Sequence, residues 1–205
     1  MKSEKMKIKF SECDKETVIM KISDSVCEKK SQLKKEQKVM VLGDSLVREL
    51  GGRASVELEV RAYPGIGVGR MKRVLEKVSE KEAEGRGVIL HVGSNDIIGK
   101  DGWGRTRLTW EMEGLVQIAV KKFGVGKVVV SGLLYRRGVE CRVVDGMNKF
   151  LSNMCQINNV CFLEGNSWLS GGWVQGREGV DLSQVGSKAF GYLLCRVGKR
   201  IVGVK

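Results

Sequence analysis

The sequence predicts an α/β fold, a three-layer α/β/α sandwich built on a five-stranded parallel sheet. Three observations predict it. From Lys38 onward, apolar runs of strand length alternate with longer stretches of helical period, as repeated strand–helix–strand crossovers require. Val128-Val129-Val130 is apolar at every position, as a central strand covered on both faces must be. Two further runs stop abruptly at glycine and small polar residues: Val41-Leu42 at Gly43-Asp44-Ser45, and Leu90-His91-Val92 at Gly93-Ser94-Asn95-Asp96. In a parallel sheet, ligand sites form at such carboxyl ends.

The elements follow in order. Residues 1–37 are dense in Lys, Glu and Ser and lack glycine, and read as a charged N-terminal extension or linker ahead of a domain at 38–205. Within that extension, residues 6–10 alternate and 17–22 are apolar enough for two short candidate strands. In the domain, strands are predicted at 38–42, 56–62, 88–92, 127–131 and 160–163. Helices are predicted at 46–50, 69–84, 108–123, 143–158 and 183–201. The helix at 69–84 gathers Met71, Val74, Leu75 and Val78 on one face with Lys and Glu opposite. Residues 165–179, with Trp168 and Trp173, read as a long loop into the last helix, where Ser183 is a plausible N-cap. Right-handed crossovers then place helices on both faces of the sheet.

Composition bounds the function. A chain of 205 residues with 42% hydrophobic content can build one real core. No apolar stretch approaches the ~20 residues of a membrane span. Residues 1–7 are charged and lack the apolar segment of a signal peptide, so a cytoplasmic or nuclear location is expected and no membrane contact. The six cysteines form no Cys-x-x-Cys pair, and there is one histidine. Zinc is therefore not expected, and the thiols are expected to be free. Gly65-x-Gly67-x-Gly69 has the wrong spacing for a dinucleotide loop, so no cofactor is expected. A cation held by Asp96, Glu178 and Asp181 would need a geometry that their spacing does not dictate, and no metal is expected. The formal charge of +12 favours polyanions as partners, single-stranded nucleic acid first, with Arg136, Arg137, Lys199 and Arg200 near helix ends as candidate phosphate contacts. The competing reading is solubility, because the basic residues are dispersed along the chain.

The strand-end residues carry the chemistry. Ser45 places a hydroxyl where a nucleophile would stand, and Asn95 places an amide where an oxyanion donor would stand. Taken alone, Ser45 could simply cap the following helical turn, and Asn95-Asp96 could be turn formers. Asp44 is expected to brace its turn through backbone N–H groups. The missing part is a base. His91 lies inside a strand, two residues before Gly93, and reads as a packed histidine rather than a catalytic one.

Gly43-Asp44-Ser45-Leu46 followed by Gly93-Ser94-Asn95-Asp96 resembles the SGNH, or GDSL, hydrolase family, and the resemblance covers most of the chain after about Gln37. It implies the flavodoxin-like α/β/α sandwich, a serine esterase or acyl-hydrolase activity on an ester substrate, Ser45 as nucleophile, and an oxyanion hole from the Ser45 backbone, the Asn95 side chain and a backbone amide at Gly67 or Val68. The Gly67 or Val68 assignment falls in Pro64-Gly65-Ile66-Gly67-Val68-Gly69, a looser match to the family's glycine-rich second block. The family's last block is commonly Asp-Gly-x-His-Leu-Ser-x-x-Gly. Gly179, Leu182, Ser183 and Gly186 keep that frame, but Glu178 stands at the Asp position and Asp181 at the His position. The phrase His-Val-Gly-Ser-Asn-Asp is also similar to SGNH-type domains of animal retroelement proteins. Serine hydrolysis needs a base with a pKa near the working pH; a histidine at ~6.5 qualifies and an aspartate at ~4 does not unless strongly desolvated. The expectation is an esterase scaffold weakened or disabled at its base. The alternative is a disabled SGNH domain that serves as a nucleic-acid or protein-binding module.

Overall fold

The computed structural model describes residues 38–50, 57–97, 103–169 and 181–203. The candidate strands at 6–10 and 17–22, Glu178, Trp173 and most of the 165–179 loop lie outside the described residues. The domain is an α/β sandwich with five parallel strands: β1 (Lys38–Gly43), β2 (Glu57–Ala62), β3 (Gly87–His91), β4 (Val128–Ser131) and β5 (Cys161–Leu163). Their order is β2-β1-β3-β4-β5 and every pairing is parallel. The order reverses between β1 and β3, so the crevice of this fold opens where those two strands end.

Strand alternation builds the two cores. Met40, Leu42, Val88, Leu90, Val128 and Val130 face one helical layer. That layer comprises α1 (Val68–Lys77), α2 (Glu80–Ala83), α3 (Trp103–Phe123) and α4 (Cys141–Ile157). Val39, Val41, Ile89 and Val129 face the other side, where α5 (Gln184–Val202) packs through Phe190, Leu193, Leu194 and Val197. The valine run of β4 is thus divided between both cores, as its uniform apolarity predicts. Edge strand β2 carries Glu59 and Arg61, tied by ion pairs to each other, to Glu82 and to Arg86, and such charges discourage another strand from pairing there.

Two predicted helices differ from what forms. The segment at 46–50 makes only a 3₁₀ turn, Ser45–Val47, because the chain must bend sharply off β1. The segment at 69–84 divides at Val78. Ser79 accepts a hydrogen bond from the Glu82 amide at 3.2 Å and starts α2 afresh, while Lys122 of α3 donates to the Val78 carbonyl at 2.6 Å. The amphipathic face persists across the break, with Met71, Leu75, Val78 and Ala83 all buried. Helix α3 begins at Trp103, five residues before the predicted 108. Ser183 caps α5 as expected, accepting from the Gly186 amide at 3.0 Å.

Candidate active site

Ser45 lies two residues beyond the end of β1. Asp44 performs the capping: its carboxylate accepts from the Leu46 amide at 3.0 Å, and its own amide donates to the His91 carbonyl at 3.2 Å. That leaves the half-buried Ser45 hydroxyl with no hydrogen-bond partner among the described residues. Asp44 thus braces the turn as the sequence leads one to expect, and the competing reading, Ser45 as the cap, is not what forms. Glycine is needed just before this turn, because a Cβ on Gly43 would sit 2.7 Å from the His91 carbonyl oxygen and 2.8 Å from Val47.

A cavity of about 60 Å³ opens beside Ser45, lined also by Arg48, Glu49, Asp181 and the buried Ser187. Asp181 stands two residues ahead of the Ser183 cap, so the start of α5 brings it to the end of β1. The structure therefore brings Ser45 and Asp181 around one space. Asp181 is exposed to solvent.

The other strand-end residues meet around a second, larger groove. Asn95 donates from Nδ2 to the Ile66 carbonyl at 3.0 Å, which uses one of its two N–H bonds. The next residue, Asp96, accepts from the Val68 amide at 3.2 Å. Helix α1 has no side-chain cap of its own at Gly67, so the Asp96 carboxylate serves its first turn from across the groove. Gly67 must be glycine, since a Cβ there would lie 2.6 Å from Asp96 Oδ1. Of the two candidate backbone donors, Val68 is thus engaged by Asp96, whereas the Gly67 amide has no partner among the described residues. Burial raises the Asp96 pKa, opposed by the Val68 hydrogen bond and reinforced by Glu111 nearby. The groove has a volume of about 700 Å³ and is lined by Gly67, Asn95 and Asp96 with the cations Arg70, Lys72, Arg73 and Arg107 and the carboxylates Glu76 and Glu111. Sequence reasoning missed both the tie made by Asp96 and this charged lining; the i, i+3 spacing of Arg70 and Arg73 was its one visible sign.

His91 is fully buried. Its Nδ1 lies 3.0 Å from Ser131 Oγ, and its ring meets Phe190 edge-on at 5.1 Å. Burial lowers its pKa, with Asp44 opposing the shift. It packs toward α5 through Phe190. Asp44 Oδ2, His91 Nε2 and Ser94 Oγ are buried without a hydrogen-bond partner among the described residues. Such orphaned polar atoms are rare in ordinary cores; these three lie at the ends of β1 and β3, and Arg136 Nε beyond β4 is another. No group of three or more metal-ligating side chains occurs among the described residues. Of the cysteines, Cys141, Cys155, Cys161 and Cys195 are free thiols, and burial pushes Cys155 up to about 12.

In sequence, no family model matches this chain and no curated protein does. Solved structures match its fold. A lipase/acylhydrolase from Enterococcus faecalis superposes with a TM-score of 0.65 at 17% identity, covering 82% of this chain and 96% of that one. A GDSL-like lipase from Bacteroides thetaiotaomicron gives 0.66 at 14% identity, covering 82% and 90%. A member of the lipolytic G-D-S-L family from Veillonella parvula gives 0.64 at 20% identity, covering 80% and 99%. The chain has the SGNH/GDSL-hydrolase fold. Its Gly-Asp-Ser-Leu turn leaves β1 and its Gly-Ser-Asn-Asp turn follows β3, on either side of the point where strand order reverses.

Proposed function

We propose that this chain is an SGNH-type acyl-ester hydrolase scaffold that keeps Ser45 at the nucleophile position but is impaired in hydrolysis, because Asp181 stands where a histidine base is needed. One observation carries the reading: Ser45 and Asp181 line the same cavity, while the single histidine is buried against Ser131 and Phe190. In this reading the Ser45 and Gly67 amides and the Asn95 side chain receive the oxyanion, Val68 remains bound to Asp96, and Glu178 stands at the orienting position. A productive cycle needs Ser45 Oγ to lose its proton as it attacks the ester carbonyl, and the leaving alkoxide to gain one. A carboxylate is a far weaker base than an imidazole for accepting that proton near neutral pH. Loss of a triad member costs ~10⁴-fold in kcat, or ~5 kcal/mol of barrier.

The test is hydrolysis of p-nitrophenyl acetate and butyrate by the full chain and by Ser45→Ala. The expected rates are within about threefold of each other, as a site without its base gives. Robust turnover that disappears in Ser45→Ala would refute the reading and mean that another base serves Ser45. A second reading, a scaffold kept for binding polyanions, is favoured by the net charge of +12.

A further inference from the structure

We infer that the outer face of α5, together with Trp168, is a binding strip for single-stranded nucleic acid. This inference rests on the polyanion-binding reading and gives it a surface. Helix α5 is 19 residues long and contains no Asp or Glu. Its inner positions are consumed by the core. Beyond its first residue, Gln184, its exposed positions are Val185, Lys188, Tyr192, Arg196 and Arg200, and Lys199 is half-buried beside them. At 3.6 residues per turn these fall within a stripe ~120° wide and ~22 Å long. At ~3.4 Å per nucleotide, that length accommodates about six nucleotides of a stacked strand.

The stripe also carries aromatic rings. Tyr192 is 68% exposed and Trp168 is 59% exposed, and the Arg196 guanidinium lies 5.6 Å from the centre of the Trp168 ring. Large exposed rings beside cations, with carboxylates absent from the helix, suit a ligand that offers both phosphates and flat bases. Elsewhere the charge balance differs. Trp110 of α3 is 75% exposed, but Arg107 one turn before it is paired with Glu111, and Glu113 follows on the same face. Glu164, near Trp168 in the chain, holds the Asn166 and Ser167 amides with its two oxygens. The α5 stripe is therefore where unpaired positive charge and stackable surface coincide.

The experiment is fluorescence anisotropy of the full chain with a fluorescein-labelled oligo(dT) of about 20 nucleotides, at ~50 and ~200 mM salt. Two triple charge reversals are compared: Lys188→Glu/Arg196→Glu/Arg200→Glu on the stripe, and Lys77→Glu/Lys81→Glu/Lys121→Glu on the other helical layer. Both change net charge equally. The stripe variant is expected to lose at least tenfold in affinity and ~2 units of log–log salt slope, at ~0.7 per phosphate contact, while the control keeps most of both. Trp168→Ala and Tyr192→Ala, which leave the charge untouched, should each weaken binding by about fivefold or more. Circular dichroism melts confirm that each variant folds. Equal losses in the two triple variants would overturn this surface while leaving polyanion binding intact. Absence of salt-sensitive binding by the unaltered chain would overturn both. Anionic phosphatidylserine vesicles supply the last arm. If the chain binds them through the stripe and ignores the oligonucleotide, the inference is wrong and the strip serves a membrane surface.

Discussion

Asp44 and Ser45 divide between them two tasks that one side chain often combines. The aspartate satisfies the Leu46 amide of the turn, and the hydroxyl beside it keeps its lone pairs uncommitted among the described residues. His91, the residue most easily mistaken for the base, works instead on stability. Its imidazole is buried and its pKa lies below the ordinary ~6.5, so the folded protein holds it neutral and the unfolded chain binds a proton first. Its contribution is thus fully present above ~6.5 and is lost as pH falls below that value toward the folded-state pKa. Urea unfolding at about pH 7.5 and about pH 5 should show a marked loss for the native chain and a smaller loss for His91→Gln. Equal losses in both would contradict the burial argument. The lone position of His91 within a strand was enough to read it as packed, because side chains inside a strand point across the sheet rather than off its end. Its partner Ser131, 40 residues away, was not legible, since strand neighbours are set by sheet order rather than by chain distance.

At the scale of elements, the start of α1 is the point on which the groove depends. Asp96 holds the Val68 amide, Asn95 holds the Ile66 carbonyl, and Gly67 passes between them. Asp96→Ala should cost about 1 kcal/mol, as loss of a helix-capping carboxylate does. Gly67→Ala should cost about 1–3 kcal/mol because its Cβ collides with Asp96 Oδ1. In the double variant the collision is gone, so chemical denaturation should show the two costs falling short of their sum by about 1 kcal/mol. Strict additivity would mean that Gly67 and Asp96 do not touch. Most helices and strands were legible because their periodicity is local. The break at Val78 was half legible: Ser79-x-x-Glu82 is a capping pattern, but the apolar face runs through it and masks the stop. Lys122, which receives the end of α1, comes from 44 residues away and left no local sign. The short turn at Ser45–Val47 was over-read as a helix because two apolar residues on a helical spacing do not fix length.

At the scale of the molecule, the fold joins parts that are remote in the chain. Ser45 follows β1 and Asp181 precedes α5, and they meet only because α5 alone among the described helices packs on the β1 face opposite α1, α3 and α4. The motif order made both positions legible as parts of one site. What the sequence left hidden was the larger groove that Gly67 and Asn95 line with Arg70 and Arg73. The net charge was legible at once, but the stripe on α5 was not, because Lys188, Arg196 and Arg200 share one face only when the helix is wound. The proposed function requires a sound scaffold that lacks only its base. The most direct measurement is the rate of p-nitrophenyl acetate hydrolysis by Asp181→His/Glu178→Asp against the unaltered chain, as a function of pH. A Ser45-dependent gain of at least tenfold is expected, rising with pH through an inflection near ~6.5 as the new imidazole loses its proton. A correctly folded double variant with no gain over Ser45→Ala, or a gain that survives Ser45→Ala, would contradict it.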